Sequence, residues 1–249
     1  MIDFDGEVAV ITGGTRGIGR AVATRLAEQG ATVVATYYED DAAADETAAA
    51  LASFPAETAV ERFDVADFDA VAATFETVAE RYGPPTVLVN NAGTMANGLL
   101  VRMSPEQWQR VIDVNLTGTF YCTREAARRM LGRDDGGGRI VNVASVAAQH
   151  GWAGQANYAA SKAGVLGLTR VAARELGGKG IRVNAVAPGY TDTDLLADSR
   201  GHESAVETDT ASGRVATPAE VADVIAFLAS DAASYVNGEV VRVDDGLAV

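Results

Sequence analysis
Positive charge is scarce in this chain. Its 249 residues carry 20 lysines and arginines against 34 aspartates and glutamates, a net charge of -14. Lysine is the rarer of the two bases, present only as Lys162 and Lys179. Such a surface repels nucleic-acid phosphates, which excludes a nucleic-acid partner. Cysteine is nearly missing as well. Cys122 stands alone, so no internal disulfide can form, and His150 and His202 are too few to complete a metal site with it. Cys122 reads as a small core residue. No run approaches the roughly 18 apolar residues of a membrane span. The start, Met1-Ile2-Asp3-Phe4-Asp5-Gly6, lacks a basic-then-apolar targeting pattern. The expectation is a cytoplasmic protein with no membrane contact.

What is present suits one globular domain over 1–249. Apolar residues make up 48%, with 26 glycines and 6 prolines, and the length allows a full α/β core. Neither an internal repeat nor a linker interrupts it. The acid excess, with arginine in place of lysine, is similar to the composition of proteins from salt-loving archaea. Multimolar salt there shortens the Debye length to ~3 Å or less.

Along the chain, apolar runs alternate with helical patterns. Residues 7–12 lead into Gly13-Gly14-Thr15-Arg16-Gly17-Ile18-Gly19 and then a helical pattern through Ala21, Val22, Leu26 and Ala27. A strand, a glycine turn and a helix in that order let backbone approach a pyrophosphate and aim a helix N-terminus at its charge. The glycines at 13, 17 and 19 depart from the common G-x-G-x-x-G spacing. Further strands are predicted at 31–36, 58–63, 86–89, 139–144, 180–186 and 239–243, with helices near 41–52, 67–82, 105–131 and 218–229. This alternation predicts a parallel sheet. The helix over 105–131 is expected to run unbroken with Asn115 in its middle, where asparagine weakens a helix unless its amide is used. The polar, aperiodic stretch 191–217, with His202, Glu203 and Glu207, reads as a flexible lid.

Tyr158 and Lys162 stand four residues apart and therefore share one face of a helix. A lysine beside a tyrosine stabilises the phenolate; lowering the phenol pKa by about 3 units takes roughly 4 kcal/mol. Ser145 falls just past the predicted strand 139–144, and strand ends are where open α/β sheets hold their chemistry.

Taken in order, Thr12-Gly13-x-x-x-Gly17-x-Gly19, Asn90-Asn91-Ala92-Gly93, Asn115, Ser145, Tyr158-x-x-x-Lys162 and Pro188-Gly189 resemble the short-chain dehydrogenase/reductase family over essentially the whole chain. The resemblance implies a three-layer α/β fold, a Rossmann-type doubly wound parallel sheet of about seven strands with helices on both faces, usually assembled as a homotetramer. It implies Tyr158 as proton donor to a substrate carbonyl oxygen and Ser145 as the group that orients that oxygen. It also implies Lys162 on the nicotinamide ribose, lowering the Tyr158 pKa, and Asn115 holding a water that links Lys162 to solvent. Gly13, Thr15, Arg16, Gly17, Ile18 and Gly19 would line the phosphate and ribose side, and Asp64 with Val65 would border the adenine. Asn91, Ala92 and Gly93 would flank the adenosine ribose and nicotinamide side. Pro188, Gly189, Thr191 and Thr193 would lie at the carboxamide end, and no metal is needed.

NADP(H) is the expected cofactor, with NAD(H) as the alternative. Thr36-Tyr37-Tyr38 offers no acid to the ribose 2′-hydroxyl at the end of the second strand, while Arg16 places a base in the glycine loop. By the same resemblance, Tyr38 is expected to stack on the adenine. Within the family the pattern is similar to bacterial 3-oxoacyl-acyl-carrier-protein reductases, through Asn157 to Gly164, Val183 to Tyr190 and Ala226 to Asp231. Val243-Asp244-Asp245-Gly246 departs from them, since the relatives usually carry two glycines there. The expected substrate is a 3-oxoacyl thioester of a carrier protein or of coenzyme A, such as acetoacetyl-CoA. The alternatives are dehydrogenation of a sugar, steroid or other secondary alcohol, and a non-catalytic cofactor-binding regulator. His150 is placed at the border of the substrate cleft and His202 on the lid surface.

Overall fold
The apolar runs form strands β1 Val8–Thr12, β2 Thr32–Tyr37, β3 Thr58–Arg62, β4 Val87–Asn90, β5 Gly138–Val143, β6 Ile181–Pro188 and β7 Val240–Val243. The computed structural model describes residues 2–133, 136–197, 206 and 208–247. His202, Glu203 and Glu207 of the expected lid lie outside the described residues. All seven strands pair in parallel in the order β3-β2-β1-β4-β5-β6-β7. Their inner members are apolar on both faces because both faces are covered. Ala9 and Ile11 of β1 face one core with Val22 and Leu26, while Val10 faces the other with Phe75 and Met130. Helices α1 Gly17–Glu28 and Pro218–Ala229 pack on the first face. Helices α3 Phe68–Tyr82, α5 Gly118–Leu131 and α7 Ala156–Gly177 pack on the second. Strand order reverses between β1 and β4, which opens a crevice beyond their carboxyl ends. No helix among the described residues is long and apolar enough to cross a membrane.

One element differs from the sequence reading. The helix expected over 105–131 is divided into α4 Pro105–Ile112 and α5 by a wider π-type turn over Asp113–Thr117. The division centres on Asn115, which is fully buried and whose amide leaves the helix to bond the β4–α4 loop. Its Oδ1 accepts from Thr94 N at 2.8 Å, and its Nδ2 donates to Thr94 O at 3.0 Å and Ser161 Oγ at 3.1 Å. Insertions of this kind gather at functional sites.

Two surface devices close the C-terminal part. Asp245 takes φ 50°, the only positive value on a non-glycine among the described residues, at the position where the resemblance led to glycine. Its carboxylate accepts from both Ser212 N and Ser212 Oγ at 2.6 Å, tying the tail to the end of the lid region. Thr217 and Glu220 form a reciprocal cap on the helix Pro218–Ala229, and Arg214 grips Glu220 with two hydrogen bonds of 2.9 and 2.7 Å. Those bonds draw the Glu220 carboxyl down from 4.5 to about 2. A depressed acid stabilises the fold above its unfolded value and loses that contribution as pH falls through the folded one. Melting temperature is therefore expected to fall between pH 4.5 and about 2, and less steeply in Arg214→Ala, as differential scanning calorimetry across that window would record.

Candidate active site
The glycine loop follows β1 and is held from beneath. Thr12 Oγ1 accepts from the Asn91 and Ala92 backbone N–H groups, both at 3.0 Å. Asn91 Nδ2 returns to Thr12 O at 3.0 Å and Gly13 O at 2.9 Å. Asn91 thus braces the loop as well as lining the crevice. Gly13 and Gly17 take φ of 61° and 51°, a region where a side chain would strain the turn. Helices α2 Asp41–Leu51, α3 and α4 begin with side-chain caps from Asp40, Asp67 and Ser104. Helix α1 has neither a side-chain cap nor an acid in its first turn. Its leading N–H groups are available to an anion, and the glycine-bearing turn Gly13 to Gly17 forms a cradle in front of them.

A cavity of about 530 Å³ runs from this loop past Tyr38, Asp64 and Val65 to Gly93 and Thr193. A smaller pocket of about 140 Å³ shares Ile18, Asn91, Gly93 and Thr193 with it and ends at Ser145, Tyr158 and Lys162. Thr15, Arg16, Gly17 and Ala92 line the larger cavity, and Pro188, Gly189 and Thr191 the smaller. Gly19 faces inward instead, packed on the loop itself. The residues present fit an elongated ligand with a phosphate group, which the uncapped start of α1 would receive. Arg16 stands exposed at this cavity, with Asp194 at 4.0 Å as its ionic neighbour. Glu39 and Arg110, which also line it, pair at 3.7 Å.

Tyr158 sits in the first turn of α7, positioned by its neighbour. Asn157 Oδ1 accepts from Tyr158 N at 2.8 Å, while Asn157 Nδ2 donates to Ala96 O at 3.0 Å and Gln107 O at 3.1 Å. Ser145 is fixed by accepting from Ala147 N at 3.1 Å. Lys162 is buried, its Nζ donating to Val143 O at 2.7 Å and standing 5.7 Å from the Tyr158 ring centre. This geometry corrects one expectation: even with Lys162 beside it, the Tyr158 phenol lies above its ordinary value rather than below it. Burial raises it, and the hydrogen bond with Ser145 is what opposes the rise. The lysine carries the larger consequence of sharing the pocket, since burial brings it from 10.5 down to about 8. Asn115 Oδ1 and Lys162 Nζ both flank Gly93, where an added Cβ would meet them at 3.4 and 3.5 Å. His150 is one ring removed from the pocket, stacked on Trp152 at 5.8 Å.

Sequence reasoning missed the far wall of the pocket: Met95, Trp152, Gln155, Leu195 and Leu196. They lie in loops, at the edge of α7 and in the short helix Asp194–Ala197. No periodicity marks them. The only available signal was the place of Trp152 and Gln155 between Ser145 and Tyr158.

A family model described as enoyl-(acyl carrier protein) reductase matches residues 13–248. A 3-oxoacyl-acyl-carrier-protein reductase of Synechocystis is 42% identical over 248 residues, covering 99% of each chain. One of Thermotoga maritima is 43% identical over 249 residues, again covering 99% of each. Among solved structures, a short-chain type dehydrogenase/reductase from Mycobacterium marinum superposes with TM-score 0.94 at 33% identity, covering 98% of this chain and 96% of its own. A Serratia marcescens short-chain dehydrogenase/reductase variant gives 0.93 at 34% identity, covering 99% of both.

Proposed function
The chain belongs to the short-chain dehydrogenase/reductase family of NAD(P)-dependent oxidoreductases, and from that premise we propose that it reduces 3-oxoacyl thioesters with NADPH. The observation that carries the reading is a buried phenol that shares a pocket with Ser145 and Lys162, next to a cavity that begins on an uncapped helix. The substrate class is supported by the names of full-length relatives about 40% identical.

Bound at the nicotinamide end, the cofactor supplies hydride to the carbonyl carbon. The Ser145 hydroxyl donates a hydrogen bond to the carbonyl oxygen and holds it toward Tyr158. Because burial raises its pKa, Tyr158 keeps its proton at neutral pH and can give it to that oxygen as negative charge develops. Lys162, near half-protonation at about pH 8, supplies a cation that stabilises the resulting phenolate. Asn115 holds Thr94 and Ser161 in register around them. Rapid NADPH oxidation with acetoacetyl-CoA, absent with simple ketones and sugars, is the expected result. Turnover of a sugar or secondary alcohol alone would overturn the substrate class.

The preference for NADPH rests on Arg16. A charge-assisted bond to the 2′-phosphate is worth about 1.5–3 kcal/mol, so Arg16→Ala is expected to lower kcat/KM for NADPH by roughly 10- to 100-fold and leave NADH little changed. Steady-state rates with each cofactor test this. We also assign a homotetramer, supported by the exposed Trp108, Phe120 and Leu131 on α4 and α5 and Val171 on α7. With a net charge of -14 per chain, the assembly and its activity are expected to weaken below about 0.5 M salt. Light scattering and rates across a potassium chloride series measure that, and an unchanged tetramer in dilute buffer would overturn it.

A further inference from the structure
We propose that Gln155 receives an amide N–H of the arm that carries the acyl thioester, a subsite that rests on the thioester reading above. Gln155 is 8% exposed and lines the reaction pocket three residues before Tyr158. Its Oε1 is buried without a hydrogen-bond partner. A buried acceptor left unpaired is costly, and most are paired. Among the described residues two other side chains share the condition, Gln29 and Asn90, but neither lines this pocket. No side chain of the pocket bonds this oxygen: Met95, Leu195 and Leu196 are apolar, and Trp152, which carries an N–H, is stacked on Tyr190 at 5.8 Å and does not donate to it. A donor brought by the substrate is what this oxygen lacks.

The chemistry of the substrate narrows that donor. A 3-oxoacyl group has only acceptors; its keto oxygen goes to Ser145 and Tyr158, and its thioester oxygen donates nothing. The first donor along the molecule is the amide N–H two methylenes beyond sulfur, common to coenzyme A and carrier-protein thioesters. Gln155 is the residue just ahead of α7 and lines the same pocket as Tyr158, so its side chain lies within reach of a group just beyond the thioester when the ketone is at Tyr158. The terminal torsion of glutamine is soft, which lets the carboxamide turn to the ligand. The same contact separates thioesters with the arm from plain ketones, which offer no N–H.

Two thioesters of 3-oxobutanoate test it: that of N-acetylcysteamine, which keeps the amide, and an S-pentyl thioester of matched length without it. In Gln155→Met, close to the same shape, the ratio of kcat/KM between the two is expected to fall about tenfold, the worth of one hydrogen bond. Melting temperature and the KM for NADPH should hold, since the oxygen has no partner in the free enzyme to lose. Equal losses on both thioesters, or a raised KM for NADPH, would assign Gln155 to the keto group or the nicotinamide carboxamide and overturn the subsite. An unchanged ratio would overturn it as well. Wild type that turns over both thioesters without such a change loses the subsite alone; folded wild type inactive on both loses the thioester reading and the subsite together.

Discussion
Tyr158→Phe is expected to lower kcat for acetoacetyl-CoA reduction by about a thousandfold while the protein keeps its fold and its affinity for NADPH. General acid catalysis by a placed side chain contributes roughly 10²–10⁴ in rate, and the phenol is the acid positioned beside Ser145 in this pocket. The ring stays in the variant, so its contacts with Val111 and Ala147 are kept. What is lost is the proton and the hydrogen bond with Ser145. Water cannot easily replace the proton, because the tyrosine is only 8% exposed. Steady-state rates with acetoacetyl-CoA, together with a fluorescence titration of NADPH, separate the two effects. Retention of a tenth or more of wild-type kcat would remove Tyr158 as the donor.

Gly19→Ala is expected to abolish cofactor binding at assay concentrations and to lower the melting temperature by roughly 2–12 °C. An added Cβ at this position runs into the Gly13 carbonyl oxygen and stands 2.5 Å from Asn91 Nδ2. Neither neighbour is a flexible side-chain end. Gly13 is backbone at positive φ, and Asn91 Nδ2 is held by two hydrogen bonds, to Thr12 and Gly13. The loop must therefore move away from α1, which releases the Asn91 brace and displaces the N–H groups that face the phosphates. Overpacking of this kind costs about 1–3 kcal/mol, and a chain of this size loses roughly 2–4 °C per kcal/mol. Alanine at Gly167, where an added Cβ meets nothing within 4 Å, serves as the control and should bind NADPH normally. An alanine variant at Gly19 with wild-type NADPH affinity would contradict the cradle.

Local rules carried the fold a long way. The helix expected over 218–229 has its bounds at Pro218 and Ala229, where Thr217 and Glu220 box its start. The strands are displaced by a residue or two, as with β2, which begins at Thr32 and runs to Tyr37. The unbroken helix over 105–131 was the clear miss. Every residue around Asn115 tolerates a helix, and what opens the turn is the distant Thr94 and Ser161.

The sequence alone determined the strand, glycine turn and helix at the start, the alternation that makes a parallel sheet, and the facing of Tyr158 and Lys162. Each of these depends on neighbours a few residues away, through backbone sterics, helical period or turn chemistry. The tertiary structure alone decided that Lys162 is tied to Val143 rather than to the tyrosine, that burial raises the phenol and lowers the amine, and that Gln155 stands in the pocket with an unpaired oxygen. Desolvation and hydrogen-bond pairing depend on which distant segments close around a side chain, and local sequence contains no measure of that.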